Sequence, residues 1–180
     1  MSPAAVELIP MLCLHCQQPV PAQPDEVVWV CQTCGQGMVL SDDHGLLQQI
    51  IHFSAGIPAN TQGKPVWVVS GAVTLQRETF SGDNSRDMQQ FWSQPRWFFI
   101  PAYNLTLDQL VDAGLRFLKQ PLLLQESGTP ASFLPVTVHP EDIQPLAEFI
   151  ILAVEAERRD QLQKISFTLQ LGQPELWIFP

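Results

Sequence analysis

The sequence has no cationic side chain before Lys64, because none of its nine Lys and Arg residues falls within positions 1–63. The same stretch contains five acidic residues, and the whole chain has a formal net charge of -9. Affinity for nucleic acid rests largely on Lys and Arg contacts that release counterions. We therefore do not expect a nucleic-acid partner, and a transcription-related nucleic-acid-binding protein is kept only as an alternative.

The sequence also lacks a membrane span and an export signal. Its longest apolar run without proline, residues 149–154, is far shorter than the roughly 20 residues that a spanning helix needs. The amino terminus has neither a basic n-region nor an apolar h-region. We expect a cytoplasmic protein.

Catalytic motifs are absent as well: the sequence contains no P-loop, dinucleotide fingerprint, nucleophile elbow or paired-histidine zinc motif. Glu141 and Asp142 are adjacent, but neighbouring residues of a helix do not face each other. We expect a protein that is not an enzyme, with no catalytic or cofactor-binding residues and no identified small-molecule substrate. The alternative is an enzyme whose site would join dispersed residues: Asp87, Arg96, Tyr103 or His139.

What the sequence does contain is two C-x-x-C pairs that use every cysteine in the chain. Two residues between paired cysteines let one turn aim both sulfurs at one ion, and Zn²⁺ takes four such donors in a tetrahedron. The 14-residue spacer lies at the short edge of the spacing typical of zinc sites. We predict one structural Zn²⁺ per chain, because a closed four-sulfur shell leaves no position for a reactive water. The predicted ligands are Cys13, Cys16, Cys31 and Cys34.

Three other interpretations of the cysteines stay open at this point. Disulfides would require an oxidising compartment, which the amino terminus does not indicate. A redox dithiol would require a C-x-x-C between a strand and a helix, whereas both pairs lie in turn-forming sequence. Iron in a rubredoxin-like site has the same four ligands, and donor softness does not exclude it. His15 and the other N-terminal histidines, His44 and His52, are interpreted as structural or solvated.

Residues 10–42 resemble the zinc-ribbon superfamily, in which the four cysteines would be the metal ligands. Gly35 fits the small residue that follows the second cysteine pair, where a positive φ lets backbone N–H groups approach sulfur. Gln17 stands where that pattern expects glycine, so we expect the first turn to relax differently. The resemblance implies a metal and says nothing about function, because ribbons occur in nucleic-acid binders, enzymes and adaptors.

The rest of the chain predicts an α+β protein, in which the N-terminal zinc ribbon precedes a small, mostly antiparallel sheet domain with one or two helices. We divide it into a ribbon with a flanking strand at 1–55, a linker or long loop at 56–65, and the α+β domain at 66–180. Residues 27–30 and 37–40, on either side of the second cysteine pair, are predicted to pair as a hairpin, and residues 46–53 are predicted to form a strand that crosses towards the next domain. Thr106 to Gln109 predicts a capping box and the start of a helix. Residues 76–94 are interpreted as a polar loop or a solvated hairpin end. Residues 149–156 are interpreted as an interior strand, although flanking Ala and Glu residues favour helix.

The order of these features is similar to that of uncharacterised bacterial proteins that join a zinc ribbon to a small α+β domain. The similarity rests on the aromatic segment around Pro101 and Ala102 and on the closing 174–177 segment, Pro-Glu-Leu-Trp. It implies no activity. The acidity, apolar richness and missing catalytic groups together favour a non-catalytic adaptor or assembly factor that acts through a protein partner or through self-association.

Overall fold

A computed structural model of the chain describes residues 11–81, 85–126, 129–158 and 161–180. The chain divides into two compact units between Ile50 and Ile51. The linker expected at 56–65 therefore lies inside the second unit, where its last residues begin strand β5 (Lys64–Ser81). No helix of the described ranges is long and apolar enough to span a bilayer.

The first unit contains a three-stranded antiparallel sheet formed by β1 (Val28–Val30), β2 (Gly37–Ser41) and β3 (Gly45–Gln48). The predicted pairing of the strands that flank the second cysteine pair is confirmed. Residues 46–53 were expected to form one crossing strand. Instead, the chain turns at Gly45, whose φ of 71° is in the left-handed region, and β3 returns along β2.

The second unit is built on a five-stranded sheet in the order β4-β8-β5-β6, with β7 also pairing β5. Only the pairing of β4 with β8 is parallel, so the sheet is mostly antiparallel, as predicted. The strands other than β5 are β4 (Ile51–Phe53), β6 (Arg96–Pro101), β7 (Gln161–Leu171) and β8 (Glu175–Phe179).

Strands β7 and β8 follow one another along the same side of β5. Leu171 of β7 pairs with Gly71, and Glu175 of β8 pairs with Val68, so the register shifts by only one residue between them. The N–H of Gly172 donates to the carbonyl of Ser70 at 2.8 Å and continues the pairing across the gap. Residues 71–81 of β5 and strand β7 thus form a two-stranded extension of the sheet, called the β5–β7 ribbon below.

Three α-helices lie in the described part of the second unit: α1 (Ser85–Trp92), α2 (Leu107–Lys119) and α3 (Ile143–Ala156). The capping box of α2 is confirmed, because Gln109 N–H donates to the Thr106 hydroxyl at 3.3 Å and Thr106 N–H donates to the Gln109 side chain at 3.1 Å. A Cβ added at Gly114 would lie 2.3 Å from Ile150 of α3, so glycine permits the close approach of these two helices.

Two interpretations of local structure were wrong. Residues 149–156 belong to helix α3 rather than to a strand. Their β-branched residues suggested β structure, but the helix is already established by the 3₁₀ turn at Pro140–Asp142, and tertiary packing outweighs propensity. The polar segment 76–94, interpreted as a loop or a hairpin end, contains the end of β5 and then helix α1. The described part of the chain accordingly has more helices than the one or two that we expected.

A buried carboxylate joins three of these elements. Glu155 of α3 is 0% exposed and accepts a hydrogen bond from the indole N–H of Trp92 at 2.9 Å. Arg158 donates to both carboxylate oxygens, at 2.7 and 2.9 Å. Arg77 of β5 places a guanidinium nitrogen 3.4 Å from one of them. Glu155 therefore connects α1, α3 and the β5–β7 ribbon inside the unit.

Candidate metal centre

The two cysteine pairs have the same backbone structure, repeated at an offset of 18 residues. In the first, Cys13 N–H donates to the Gln18 carbonyl at 2.9 Å; in the second, Cys31 N–H donates to the Gln36 carbonyl at the same distance. The bridge between Leu12 and Pro19 likewise matches the pairing of Val30 with Gly37. Residues 11–20 and 29–38, called the two knuckles below, are thus structural copies of each other.

The repeat places the four sulfur atoms in one cluster. All four Sγ atoms lie within 4.8 Å of one another, and the shortest separations, 3.5 Å, join Cys13 to Cys34 and Cys16 to Cys31. A tetrahedron with Zn–S bonds of about 2.3 Å has S–S edges of roughly 3.8 Å. The four donors therefore fit a tetrahedral thiolate site. A disulfide would require a sulfur separation of about 2.05 Å, and all four cysteines are free.

Backbone N–H groups are directed at the sulfurs in the same pattern in both knuckles. Cys13 accepts from the N–H groups of Cys16 and His15, and Cys31 accepts from those of Cys34 and Thr33. These donors favour the thiolate, and the N–H of Cys34 contributes most to lowering the pKa of Cys31 to about 6. Negative charge on the ligands is therefore stabilised by the protein itself.

The second cysteine of each knuckle, Cys16 or Cys34, has a raised pKa, so its thiolate is less favoured before a metal binds. Cys34 accepts from the N–H of Gln36, but burial and the three neighbouring cysteines together raise its pKa to about 12. Four thiolates at these distances repel one another strongly, and a divalent cation at their centre removes that repulsion. The donor set therefore suits a metal ion that binds four thiolates, with Cys13, Cys16, Cys31 and Cys34 able to hold it.

The residue after each knuckle's second cysteine adopts a left-handed conformation. Gly35 has a φ of 75°, as the resemblance implied, and Gln17 has a φ of 59° at the equivalent position. The expectation that the first turn would relax differently is wrong. Gln17 adopts the glycine conformation, and it is the one non-glycine residue with positive φ in the described ranges.

An apolar floor supports the sulfur cluster, and the repeat builds this floor too. Met11 and Trp29 are equivalent positions of the two knuckles, as are Val20 and Met38, and all four pack in one cluster with Cys13 and Cys31. Trp29 is 6% exposed, which agrees with a packing role. His15 is exposed in its turn, and the Sγ atoms grouped as possible ligands include no histidine.

The residues considered for a catalytic site have separate structural contacts. Arg96 donates to the carbonyl of Phe91 at 2.7 and 2.9 Å and lies over its ring. His139 accepts from Glu141 N–H at 3.2 Å and caps the 3₁₀ turn. Asp87 lies in the first turn of α1, and Tyr103 follows β6. None of these four lines either of the cavities described below.

Three features of the second unit were not anticipated from sequence: the contacts of one histidine and two cavities. His52 stacks on Trp177 at 4.8 Å, and its Nδ1 lies 3.2 Å from a Glu126 carboxylate oxygen. No local motif marks this pair, because 74 residues separate its members. A cavity of about 500 Å³ is lined by residues from segments 54–61 and 129–132. Its lining consists of hydroxyl and apolar groups, without any charged side chain. Another, also about 500 Å³, is lined by Gln109, Asp112, Leu115, Arg116 and Glu157.

The chain was compared with models of known protein families, with curated proteins and with solved structures. None of the three comparisons finds a match. What can be said about function therefore rests on the geometry of the chain itself.

Proposed function

We propose that this protein is a non-catalytic adaptor or assembly factor, in which a structural Zn²⁺ held by the four cysteines fixes the first unit and the second unit docks a protein partner. The observation that carries the proposal is the outward face of α3. A surface helix ordinarily presents polar residues to water. Helix α3 presents apolar ones.

The outward face of α3 consists of side chains spaced four, three and four residues apart, which places them on one stripe of the helix. Phe149 and Leu152 are 47% and 39% exposed, and Pro145 and Ala156 at the two ends are exposed as well. Leu146 and Ala153 border the stripe and are half-buried. Glu148, which accepts a hydrogen bond from the Gln144 side chain at 2.8 Å, borders the stripe on its other side. The four stripe residues themselves are all apolar, and an exposed apolar surface of this kind is typical of a protein-binding site.

The first unit is also suited to contact with a protein. Several of its large apolar side chains are exposed, among them Leu14 at 47% and Ile50 at 66%. Its charged residues are all acidic, and four thiolates around one divalent ion would add two further negative charges. These properties favour an apolar or basic protein surface over a phosphate backbone.

The stripe on α3 can be tested in cells that make the protein naturally. We would separate a native lysate by size and detect wild-type protein and the double variant Phe149→Lys/Leu152→Lys. The wild type is expected in an assembly larger than the 20.2 kDa chain or a dimer of it, and the variant is expected at lower mass. Leu107→Lys on α2 is a matched control, because Leu107 is 48% exposed and lies off the stripe.

The proposal would be abandoned if wild type, double variant and control all migrated at the mass of the purified chain. Phe149 and Leu152 are both exposed, so the unfolding free energy of the purified double variant should differ from that of the wild type by no more than about 0.5 kcal/mol. Elemental analysis of the same purified protein should give one zinc per chain. Iron with visible absorbance would replace the structural-zinc assignment with a redox-capable one.

A further inference from the structure

Strand β7 has one side that pairs with nothing in the described part of the chain. Its other side pairs with β5 from Leu171 to Gln161, and the neighbouring pairing of β4 extends only along β8. An unpaired strand side presents a row of backbone N–H and C=O groups that can bind another strand. The unpaired side of β7 therefore specifies an extended backbone as its partner.

The other outer edges of this sheet are protected or interrupted. Residues 72–81 of β5 extend beyond the β6 pairing, but this edge contains Arg77 and Glu78 and the register irregularities beside Thr79. β4 is only 3 residues long. Helix α2 packs on β6, with its Phe117 ring against Phe99 and its Gly114 close to the Phe99 carbonyl. Short length and a covering helix are both common means of preventing strand addition. β7 has neither.

Residues 165–171 of β7 also lack the protective residues that exposed strands usually contain. The run Ile-Ser-Phe-Thr-Leu-Gln-Leu has no charge, no proline and no glycine. The register irregularities of the β5–β7 pairing occur beside Thr79, beyond this run. Its apolar side chains, Ile165, Phe167, Leu169 and Leu171, are only half-buried, whereas the polar residues between them are exposed.

Charge decides which partner this strand suits. The chain as a whole carries a net charge of -9, so two copies repel each other over most of their surface. The β5–β7 ribbon differs, because its charged residues are Arg77, Glu78 and Lys164, which sum to about +1. Residues 165–171 of β7 contain no charge that would select a charged segment of another protein, and this run is a place where two acidic chains can meet.

The sequence of β7 allows two copies of the strand to pair with each other. If two copies pair antiparallel about Phe167, Ile165 faces Leu169 on the apolar side, and Ser166 faces Thr168 on the polar side. Lys164 faces Gln170, so no like charges are opposed. We propose that two copies of this chain associate through β7, about a twofold axis at Phe167. This pairing deepens the proposed function, on which it rests, by naming a second copy as one partner.

The purified full chain provides the test, by light scattering or sedimentation over a range of concentrations at 0.15 M salt (a physiological ionic strength). Wild type is expected to show a concentration-dependent dimer. The double variant Ser166→Lys/Thr168→Lys opposes like charges twice across the axis, and the dimer dissociation constant should rise about tenfold. The double variant Ser166→Lys/Thr168→Glu opposes unlike charges twice and should keep or strengthen the dimer.

A matched control exists on the paired strand. Gln76 and Thr74 of β5 lie directly opposite Ser166 and Thr168 on the same exposed face, but one strand away from the unpaired side of β7. They lie on the other edge of the β5–β7 ribbon, beyond the β6 pairing. Thr74→Lys/Gln76→Lys should leave the dimer unchanged. A wild type that stays monomeric at ~1 mM (a very weak association), or a dimer that all three double variants weaken equally, would overturn the pairing.

The outcomes separate this inference from the proposed function. A monomeric purified chain whose larger cellular assembly is still lost on substitution of Phe149 and Leu152 would remove the β7 dimer and keep the adaptor role. A β7 dimer without any larger cellular assembly would keep the dimer and remove the adaptor role.

Discussion

The two units of this protein achieve a defined structure by different means. The second unit has a continuous apolar core, in which Trp67, Phe99 and Ile150 are fully buried, and one buried ionic cluster at Glu155. The first unit has a floor of a few apolar side chains beneath four thiols. A unit this small rarely gains enough from its core alone, so we expect its stability to depend on an ion held by the four thiols. On this expectation the same chain contains one unit that folds by burial and another that folds by coordination.

Removing the metal should break the first unit and spare the second. Apparent binding energies of about 10–16 kcal/mol in small zinc modules exceed what the floor under the cysteines can supply. We expect a chelator to abolish amide-exchange protection in residues 11–50 while 51–81 and 161–180 stay protected. Cys34→Ser should have the same effect without chelator. One melting transition that includes both units would show that they share a core.

Removing the Glu155 carboxylate should destabilise the second unit alone. Glu155→Ala removes the carboxylate that is ion-paired with the buried guanidinium group of Arg77 and that accepts from the indole N–H of Trp92. We expect the unfolding free energy to fall by about 3–5 kcal/mol, measured by denaturant titration, with zinc content unchanged.

Glu157→Ala is the control for this substitution. Glu157 is the residue after the end of α3. Its carboxylate pairs with Lys119, but both side chains are about half exposed. An exposed pair of this kind contributes no more than about 1 kcal/mol. Equal losses in the two variants would mean that burial of Glu155 is energetically unimportant.

The two knuckles allow a finer comparison within the first unit. Gly35→Ala places a Cβ in open space, but at a φ of 75° that L residues disfavour by about 1–2 kcal/mol. Zinc affinity, measured by competition with a chromophoric chelator, should fall roughly 5- to 30-fold. An unchanged affinity would show that the turn can change its backbone conformation at no cost.

The reciprocal change should strengthen the first knuckle. Gln17→Gly removes the left-handed strain at φ 59° but adds conformational freedom to the unfolded chain, and the net gain should be about 0.5–1 kcal/mol. We expect zinc affinity to rise roughly two- to fivefold in the same competition. Gln18→Gly, one residue further and without positive φ, should weaken binding instead.

Features set by neighbouring residues were predictable from the sequence. The spacing of the cysteines predicted their clustering, and the Thr106 to Gln109 pattern predicted a cap that the structure contains. Each C-x-x-C turn and the cap depend on contacts within a few residues of backbone, where local geometry leaves few choices. That the two turns meet followed from the preference of one metal ion for four donors.

Helix α3 was not predictable from its pattern, because its outer stripe is as apolar as its buried face. A helix with polar residues on one side shows a period near 3.6, and 149–156 shows no such contrast. The apolar stripe that supports a protein-binding role therefore also removed the pattern by which a helix is recognised in a sequence. Glu155 gave no signal either, since its buried partners Trp92 and Arg77 are 63 and 78 residues away in the sequence.

The pairing of β4 with β8 has a consequence for synthesis on the ribosome. Ile51 of β4 pairs with Leu176 of β8, which is synthesised 125 residues later. Strand β8 must then enter the sheet between β4 and β5. At about 5–20 residues per second, this interval is roughly 6–25 s, during which β4 exists without its neighbour. The first unit has no such delay, because its ligands span only residues 13–34. Nascent chains of the second unit should therefore be the ones that bind chaperones.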